Sequence, residues 1–154
     1  MRILNYCIRA AGERDCAELA RLAGQLGYPA SDDAVRVRLR RLLATPGNIV
    51  LVAESVVGEL VGWVQGILSQ CLESDHRVEI TGLVVDERFR RKGIGRDLIG
   101  RIEAWAVEQG AEQASVRSRT TRADAHRFYE SLGFSLAKTQ VVFRKTLTPR
   151  PNVL

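Results

Sequence analysis

The sequence predicts an α/β (α+β) fold, with helices packed on a mixed central sheet, and three observations carry that prediction. Apolar residues recur at helical spacing in some stretches, and in others they form short runs rich in Val and Ile. The two kinds of stretch are mixed along the chain with short connections, as a layered architecture requires. The 154 residues suit one domain, and with 45% apolar residues and 27% charged ones a core can be built.

In chain order, Leu4 to Arg9 alternates and predicts a first strand. Asp15 to Leu26 places Leu19, Leu22, Ala23 and Leu26 on one helical face, with Gly27 as its stop. Tyr28 and Pro29 turn the chain. Ser31 then caps a second helix whose first turn carries Asp32 and Asp33 and whose stripe is Val35, Leu39, Leu42 and Leu43. Arg36, Arg38, Arg40 and Arg41 crowd this helix; they read first as a solvated face and second as contacts to an anionic substrate or partner. Thr45-Pro46-Gly47 ends it. Strands follow at Ile49 to Ala53 and Leu60 to Leu68, turning near Gly58 and Glu59. Gly62 and Gly66 mark a bulge or a close approach, and Trp63 is core or substrate wall.

Gln70 to Arg77 reads as a polar loop containing His76, and Val78 to Val85 as the central strand. Beyond the next helix, Gln113 to Arg117 predicts another strand. Thr121-x-x-Asp124 has the form of a capping box ahead of a helix with the face Ala125, Phe128, Tyr129 and Leu132, closed by Gly133. Phe134 to Ala137 and Thr139 to Leu147 predict a final hairpin, and Pro149 and Pro151 a loose tail. The domain is therefore expected over residues 1–147, with residues 148–154 as tail.

The chemistry concentrates between Glu79 and Arg96. An apolar run ends at Val85, Asp86 and Glu87 break it, and Gly93 and Gly95 let the backbone turn or let a ligand approach. A helical period then begins, with Ile94, Leu98, Ile102, Trp105 and Ala106 on one face. A glycine turn feeding a helix N-terminus offers unpaired N–H groups and partial positive charge to an anion. Arg90, Arg91, Lys92 and Arg96 strengthen that field, so phosphate or pyrophosphate is the expected ligand. No Gly-Lys-Ser/Thr triplet makes it a P-loop, and Leu98 stands where the third glycine of a dinucleotide fingerprint belongs.

Arg90-x-x-Gly93-x-Gly95 after a Leu83-x-Val85 strand resembles the acetyl-CoA-binding motif of the GCN5-related N-acetyltransferases (GNAT). Ala125-His126-Arg127-Phe128-Tyr129-Glu130-Ser131-Leu132-Gly133-Phe134 is similar to that family's second signature, and the two together span the C-terminal half. The resemblance implies a mostly antiparallel sheet splayed between its fourth and fifth strands, with a bulge in the fourth for which Gly82 is suited. It implies acetyl transfer to an amine by direct attack in a ternary complex. Leu83, Val84 and Val85 would pair with pantetheine, and Arg90 through Arg96 (Arg90, Arg91, Lys92, Gly93, Ile94, Gly95, Arg96) would hold the pyrophosphate. An N–H near Val84 would stabilise the thioester oxygen.

Tyr129 is the implied acid for the leaving thiolate, against a residue of the helix's apolar face. Glu79 is the candidate base, against a glutamate bonded to loop N–H groups or to an arginine such as Arg77, with His76 the next residue to test. Strand alternation without a bulge puts Glu79 on the Leu83 face. A base matters because an amine of pKa ~10.4 is free only about once in 2,500 molecules at pH 7, a deficit of roughly 4.6 kcal/mol. Many members carry Asn where this chain has Arg122; Arg119 and Arg122 are then candidates for CoA phosphates. His126 lies on another face than Tyr129 and reads as surface. Asp124 to Tyr129, followed by Phe143-Arg144-Lys145, also resembles the aminoalkylphosphonate N-acetyltransferases within the family.

The net charge of +5 comes almost entirely from arginine, since only Lys92, Lys138 and Lys145 are lysines. Arginine suits bidentate phosphate or carboxylate contacts. Cys7, Cys16 and Cys71 are odd in number and lack metal spacing, so they read as reduced thiols, mostly in apolar surroundings, and no metal is expected. With no membrane-length apolar stretch and no signal-peptide pattern, a cytoplasmic protein is expected. The acceptor is expected to be a small-molecule amine, and the final hairpin is expected to form a homodimer. A protein lysine or N-terminal acetyltransferase, and a nucleic-acid-binding module without catalysis, are the alternatives.

Overall fold

The computed structural model describes residues 5–151, so the expected start of the first strand at Leu4 lies outside the described residues. Two compact units divide the chain after Arg117.

In the first unit, β-branched runs form the strands β1 (Tyr6–Ala10), β2 (Asn48–Ser55), β3 (Leu60–Cys71), β4 (Ser74–Val85) and β5 (Gln113–Val116). They make one sheet in the order β1-β2-β3-β4-β5. The first four are antiparallel and β4–β5 is parallel. The helices are α1 (Cys16–Leu26), α2 (Asp32–Ala44) and α3 (Ile94–Glu108). Gly27 closes α1 in the left-handed region, at φ 95°. Ser31 caps α2 by accepting the Ala34 N–H at 3.1 Å. Two short 3₁₀ turns, Glu13–Asp15 and Glu87–Phe89, precede α1 and follow β4.

The sheet buries both faces. On one, Leu19, Leu22 and Leu39 of α1 and α2 pack with Val50, Val52 and Val84 of the strands. On the other, a Cβ placed on Gly62 would meet Leu98 and Ile94, and one on Gly66 would meet Ile102 and Val78, so α3 lies against these two glycines. The close approach expected at Gly62 and Gly66 is therefore to a helix. Ile94, Leu98, Ile99 and Ile102 are fully buried, each worth about 1.5–3 kcal/mol of transfer free energy. Ile99 rather than Trp105 completes that stripe, because Trp105 at the far end is only half-buried.

The stretch from Gln70 to Arg77 is not the expected polar loop. β3 runs on to Cys71 and β4 begins at Ser74, with Cys71 opposite Ser74. The cross-strand ladder carries polar residues into strand geometry that composition alone argues against. Of the three cysteines, only Cys16 is buried; Cys7 and Cys71 are exposed, contrary to the apolar surroundings expected for them.

β4 carries the expected bulge. Gln65 faces Gly82 but Gly66 faces Ile80, which leaves Thr81 as the extra residue. The bulge inverts the side-chain alternation. Val78 lies on the α3 face, whereas Val84 packs among α1 and α2. Glu79, opposite Ile67, therefore shares the face of Gln65 and Trp63, not that of Leu83 as an unbroken alternation predicts. β5 pairs with β4 only at Arg77 to Ile80, so among the described residues the outer edge of β4 is open from Thr81 to Val85. This is the splay between fourth and fifth strands.

The second unit, described by itself, holds α4 (Ala123–Ser131). Its N-cap is Arg122, without a side-chain cap. The expected capping box does not form; instead Asp124 pairs with Arg127 one turn along. Gly133 follows the helix at φ 93°. Residues 134–151 take no regular secondary structure, so the expected final hairpin is absent, and Val141, Val142 and Phe143 are exposed. The strand propensity of such a run is expressed only against a paired neighbour.

The bulge depends on Gly82. A Cβ there would lie 2.7 Å from Cζ3 of Trp63. Gly82→Ala is expected to cost about 1–3 kcal/mol as overpacking, with a favourable coupling of at least ~0.5 kcal/mol when Trp63→Leu is added. Gly62→Ala meets the Val84 carbonyl at 2.9 Å, a backbone atom, and the same Trp63→Leu change should not relieve it. Urea denaturation of the wild type and the five variants checks both statements; additivity in the Gly82 cycle would remove the ring from the account.

Candidate active site

The open edge of β4 presents a defined set of backbone groups. Asp86 N–H donates to the Val61 carbonyl at 2.8 Å, which makes that pair a hydrogen-bonded one and, two residues back, the Val84–Trp63 pair another. The Val84 carbonyl accordingly lies against Gly62 on β3. The Leu83 and Val85 groups turn outward, and the Val85 carbonyl accepts from Arg90 Nε at 3.1 Å. The N–H expected near Val84 to meet a thioester oxygen thus faces Trp63, and the outward N–H groups belong to its neighbours.

Beyond this edge the chain turns through Arg91 at φ 62° and Gly93 at φ 87° into α3. Gly93 caps the helix, and its carbonyl accepts from Asp97 N–H at 3.0 Å. The N–H groups of Ile94, Gly95 and Arg96 then have no acceptor within the helix. Ile94 is buried and anchors the turn, while Arg90, Arg91, Lys92 and Arg96 are exposed around it. Tyr6 donates to the Asp97 carboxylate and ties β1 to this first turn; burial first, and then Asp97, pushes the phenol up to about 12. The arrangement can hold an anion of several oxygens by N–H groups, dipole and flanking cations together.

On the α1/α2 face the bulge borders a cavity of about 260 Å³. Its sheet side is Val50, Trp63, Gln65, Thr81 and Gly82, and its helical side includes Leu19, Val35, Arg38, Leu39 and Leu42. Trp63 is both core and cavity wall. Arg38 is the one residue of the lining that is charged at neutral pH. Glu79 shares this face but is not part of the lining; its carboxylate pairs with Arg117 at 3.1 Å, while Arg77 donates to Ser74 instead. His76 is not part of the lining either.

In the second unit, Tyr129 packs edge-to-face on Phe128 and Phe134, at centroid distances of 5.2 and 5.7 Å. Burial pushes its phenol above the ordinary range, opposed by the charge of Arg122, so the hydroxyl keeps its proton at neutral pH. His126 is half-buried rather than on the surface, with Nε2 hydrogen-bonded to the Arg119 carbonyl at 2.8 Å.

The model of the acetyltransferase (GNAT) family matches residues 14–134. The chain belongs to that family. It is accordingly an acetyl-CoA-dependent N-acetyltransferase. A relative from Stenotrophomonas maltophilia, an aminoglycoside N(6')-acetyltransferase type 1, is 30% identical over 147 residues, covering 92% of this chain and 94% of that one. One of the same description from Serratia marcescens is 29% identical over 73% of this chain and 80% of its own length. Among solved structures, aminoglycoside N-acetyltransferase AAC(6')-Iy in complex with CoA superimposes with a TM-score of 0.84 over 95% of this chain and 98% of that one, at 19% identity. The fold is thus the GNAT fold, a mostly antiparallel sheet with one parallel pair.

One part of this GNAT site escaped the sequence reading. Asp86 reads only as the residue that breaks the strand, yet it is fully buried and collects bonds from both Arg88 and Arg21. It accepts from Arg88 N–H at 3.0 Å, from Arg88 Nη2 at 2.8 Å and from Arg21 Nη1 at 2.9 Å. Arg21 also donates to the Leu60 carbonyl at 3.1 Å, so its guanidinium joins α1 to β3 and to the Asp86 carboxylate at the start of the anion turn. The available signal was an aspartate two residues before a backbone N–H at a strand end, an Asx-turn pattern. Nothing local announced Arg21, 65 residues away.

The Arg88 guanidinium and N–H, with Arg21, hold the Asp86 carboxyl far below the usual carboxylate range despite burial. A depressed folded pKa gives stability that is present above the unfolded value of about 3.9 and is lost as pH falls through the folded value. Asp86→Asn is expected to cost about 1.5–3 kcal/mol at pH 7, the worth of charge-assisted bonds, and to flatten the loss of stability below about pH 4. Urea midpoints at pH 7, 4 and 3 measure this; an acid limb identical to that of the wild type would remove Asp86 from it.

Proposed function

We propose that this chain moves the acetyl group of acetyl-CoA to the primary amine of a small molecule, by direct attack in a ternary complex. The observation that carries the reading is the open edge of β4 at Leu83 to Val85, leading directly into a cation-flanked helix N-terminus, with an apolar pocket, open to solvent, on the adjoining face. Pantetheine adds to the edge through the outward groups of Leu83 and Val85, beside Val84. The N–H groups at Gly93, Ile94, Gly95 and Arg96, with Arg90, Arg91 and Lys92, meet the pyrophosphate. Arg122 replaces a neutral amide contact with a charged one to the CoA phosphates. The relatives named for aminoglycosides favour a small-molecule acceptor, and a cavity lining without a carboxylate argues against a groove for lysine-bearing protein. The nucleic-acid reading falls with the family assignment.

In the transfer, the amine nitrogen forms the new C–N bond and the C–S bond breaks. The sulfur takes a proton from Tyr129, and the amine loses one to Glu79, directly or through water. A phenol of pKa ~10 is a sufficient acid for a thiolate of pKa ~8.5 when the hydrogen bond is preformed, the gap being about 2 kcal/mol. The cytoplasm is the compartment proposed for this reaction. The likeness to aminoalkylphosphonate acetyltransferases rests on residues 124–129 and 143–145; as an acceptor reading it asks one guanidinium to hold a phosphonate. The single domain of residues 1–147 is proposed to pair as a homodimer through the exposed Val141, Val142 and Phe143, and light scattering that gives a monomer at high micromolar concentration counts against that.

The test is thermal stabilisation by acetyl-CoA, followed by an amine panel read as free-thiol release. No stabilisation and no thiol release would sink the transferase reading. Within it, Tyr129→Phe is expected to lower kcat by at least ~100-fold with acetyl-CoA affinity near wild type. Glu79→Gln should show a deficit that shrinks as pH approaches the amine's own pKa of ~10.4, where free amine appears unaided. A deficit that stays flat from about pH 7 to 10 takes the base role from Glu79 and leaves it as the partner of Arg117.

A further inference from the structure

We infer that the acceptor is a primary amine with a compact apolar body and one carboxylate, and that Arg38 is the residue that reads the carboxylate. The inference rests on the acetyl-transfer reading and adds the substrate class. Three observations lead to it. The cavity beside the β4 bulge is about 260 Å³, below the roughly 300–1,000 Å³ of pockets for drug-sized ligands, so it suits one ring or a branched chain. Its walls are hydrocarbon from α1, α2 and β2, with Trp63 as the one large aromatic of the sheet side. Its only charge is positive.

That last point separates the cavity from the substrates for which the relatives are named. A polycationic acceptor entering here would lose hydration against Leu and Val side chains and meet a guanidinium with no carboxylate to compensate. An acceptor with one carboxylate meets the opposite situation. The arginine-rich helix α2 sorts its own residues in the same sense. Arg36 is paired with Asp33 at 3.0 Å and Arg40 with Glu13 at 2.7 Å, whereas Arg38, between them, makes no ion pair among the described residues and lines the cavity. A planar guanidinium takes a carboxylate through two parallel bonds, so recognition there is geometric as well as electrostatic.

The bound acceptor then lies with its body between α1/α2 and Trp63, its carboxylate on Arg38, and its amine toward the bulge at Thr81 and Gly82. There the transfer proceeds as above: a C–N bond forms, the C–S bond breaks, and the thiol leaves with its proton.

The test uses the full chain with and without acetyl-CoA, and three aromatic amines: phenethylamine, phenylalanine and 4-(2-aminoethyl)benzoate. The last two add a carboxylate at different places. Kanamycin and 1-aminoethylphosphonate complete the panel. Melting temperature reports binding, and free thiol reports transfer. The expected result is a melting shift and a kcat/KM at least tenfold greater for one of the two carboxylates than for phenethylamine. Arg38→Gln, an exposed helix position, should lose at least tenfold on that carboxylate and markedly less on phenethylamine, with Arg38→Lys recovering part of the loss. Transfer that favours kanamycin, the phosphonate or phenethylamine overturns the inference and leaves the transferase reading standing. So does an Arg38→Gln loss equal on both amines. A carboxylate that shifts the melting temperature without thiol release keeps the cavity assignment and sinks the transferase reading. Absence of any shift or transfer with the panel overturns the inference.

Discussion

The extra residue at Thr81 in β4 decides most of what this protein can do. With Thr81 inserted opposite Gln65 and Gly66, the side chains of β4 exchange faces, and the strand leaves its parallel partner β5 after Ile80. Both consequences are functional. The exchange brings Glu79 to the face that holds the cavity, and the departure leaves Leu83 and Val85 with edge groups that no strand pairs. An exposed edge is normally a liability that a fold covers or charges. Here the two outward-facing residues are followed at once by the arginine-rich turn, so the edge is flanked by charge at the end where a nucleotide belongs. Gly82 and Trp63 hold the bulge together, since the indole occupies the space any Cβ at position 82 would need.

A cofactor loop built on backbone N–H groups must be fixed from behind, because it has few side chains of its own to brace it. Asp86 does this from the base of the turn. Its carboxylate is out of water, and the cost of burying it is offset by charge-assisted bonds from two guanidiniums and one N–H. One of the guanidiniums belongs to α1, the helix that also walls the cavity. The helix that walls the cavity and the turn into α3 are thus joined through one ion pair.

The strands, the bulge at Gly82, the cap at Ser31 and the anion turn were legible in the sequence because each follows from a local rule: a run, a glycine, a cap, a spacing. The parts that were not legible depend on partners distant in sequence. The hairpin through Cys71 and Ser74 has polar residues that become strand only by pairing with each other. The capping box at Thr121 satisfied a pattern, but the helix began one residue later, with Asp124 drawn to Arg127. The final hairpin has strand composition and takes no strand. The face of Glu79 depended on the bulge, and its partner proved to be Arg117 rather than Arg77. Arg38 read as one of four equivalent arginines, and its place in the cavity lining, with Arg36 and Arg40 paired elsewhere, distinguishes it.

The charge balance of the site bears on the hardest step, which is obtaining an uncharged amine near neutral pH. Glu79 stands beside Arg117, off the cavity wall. The cavity offers a second source of the same driving force. Hydrocarbon walls disfavour the ammonium form, and so does the positive charge of Arg38, whereas a bound carboxylate on the acceptor reduces the second effect and leaves the first. Burial of an amine is known to lower its pKa by up to about 3–5 units when complete, comparable with the roughly 3.4 units separating a pKa of ~10.4 from pH 7. Partial burial of the amine at the Thr81 and Gly82 end of the proposed acceptor site would supply a useful part of the deprotonation. On this view the apolar lining is part of the catalytic apparatus, and selection of the substrate by shape and its activation by desolvation are one interaction.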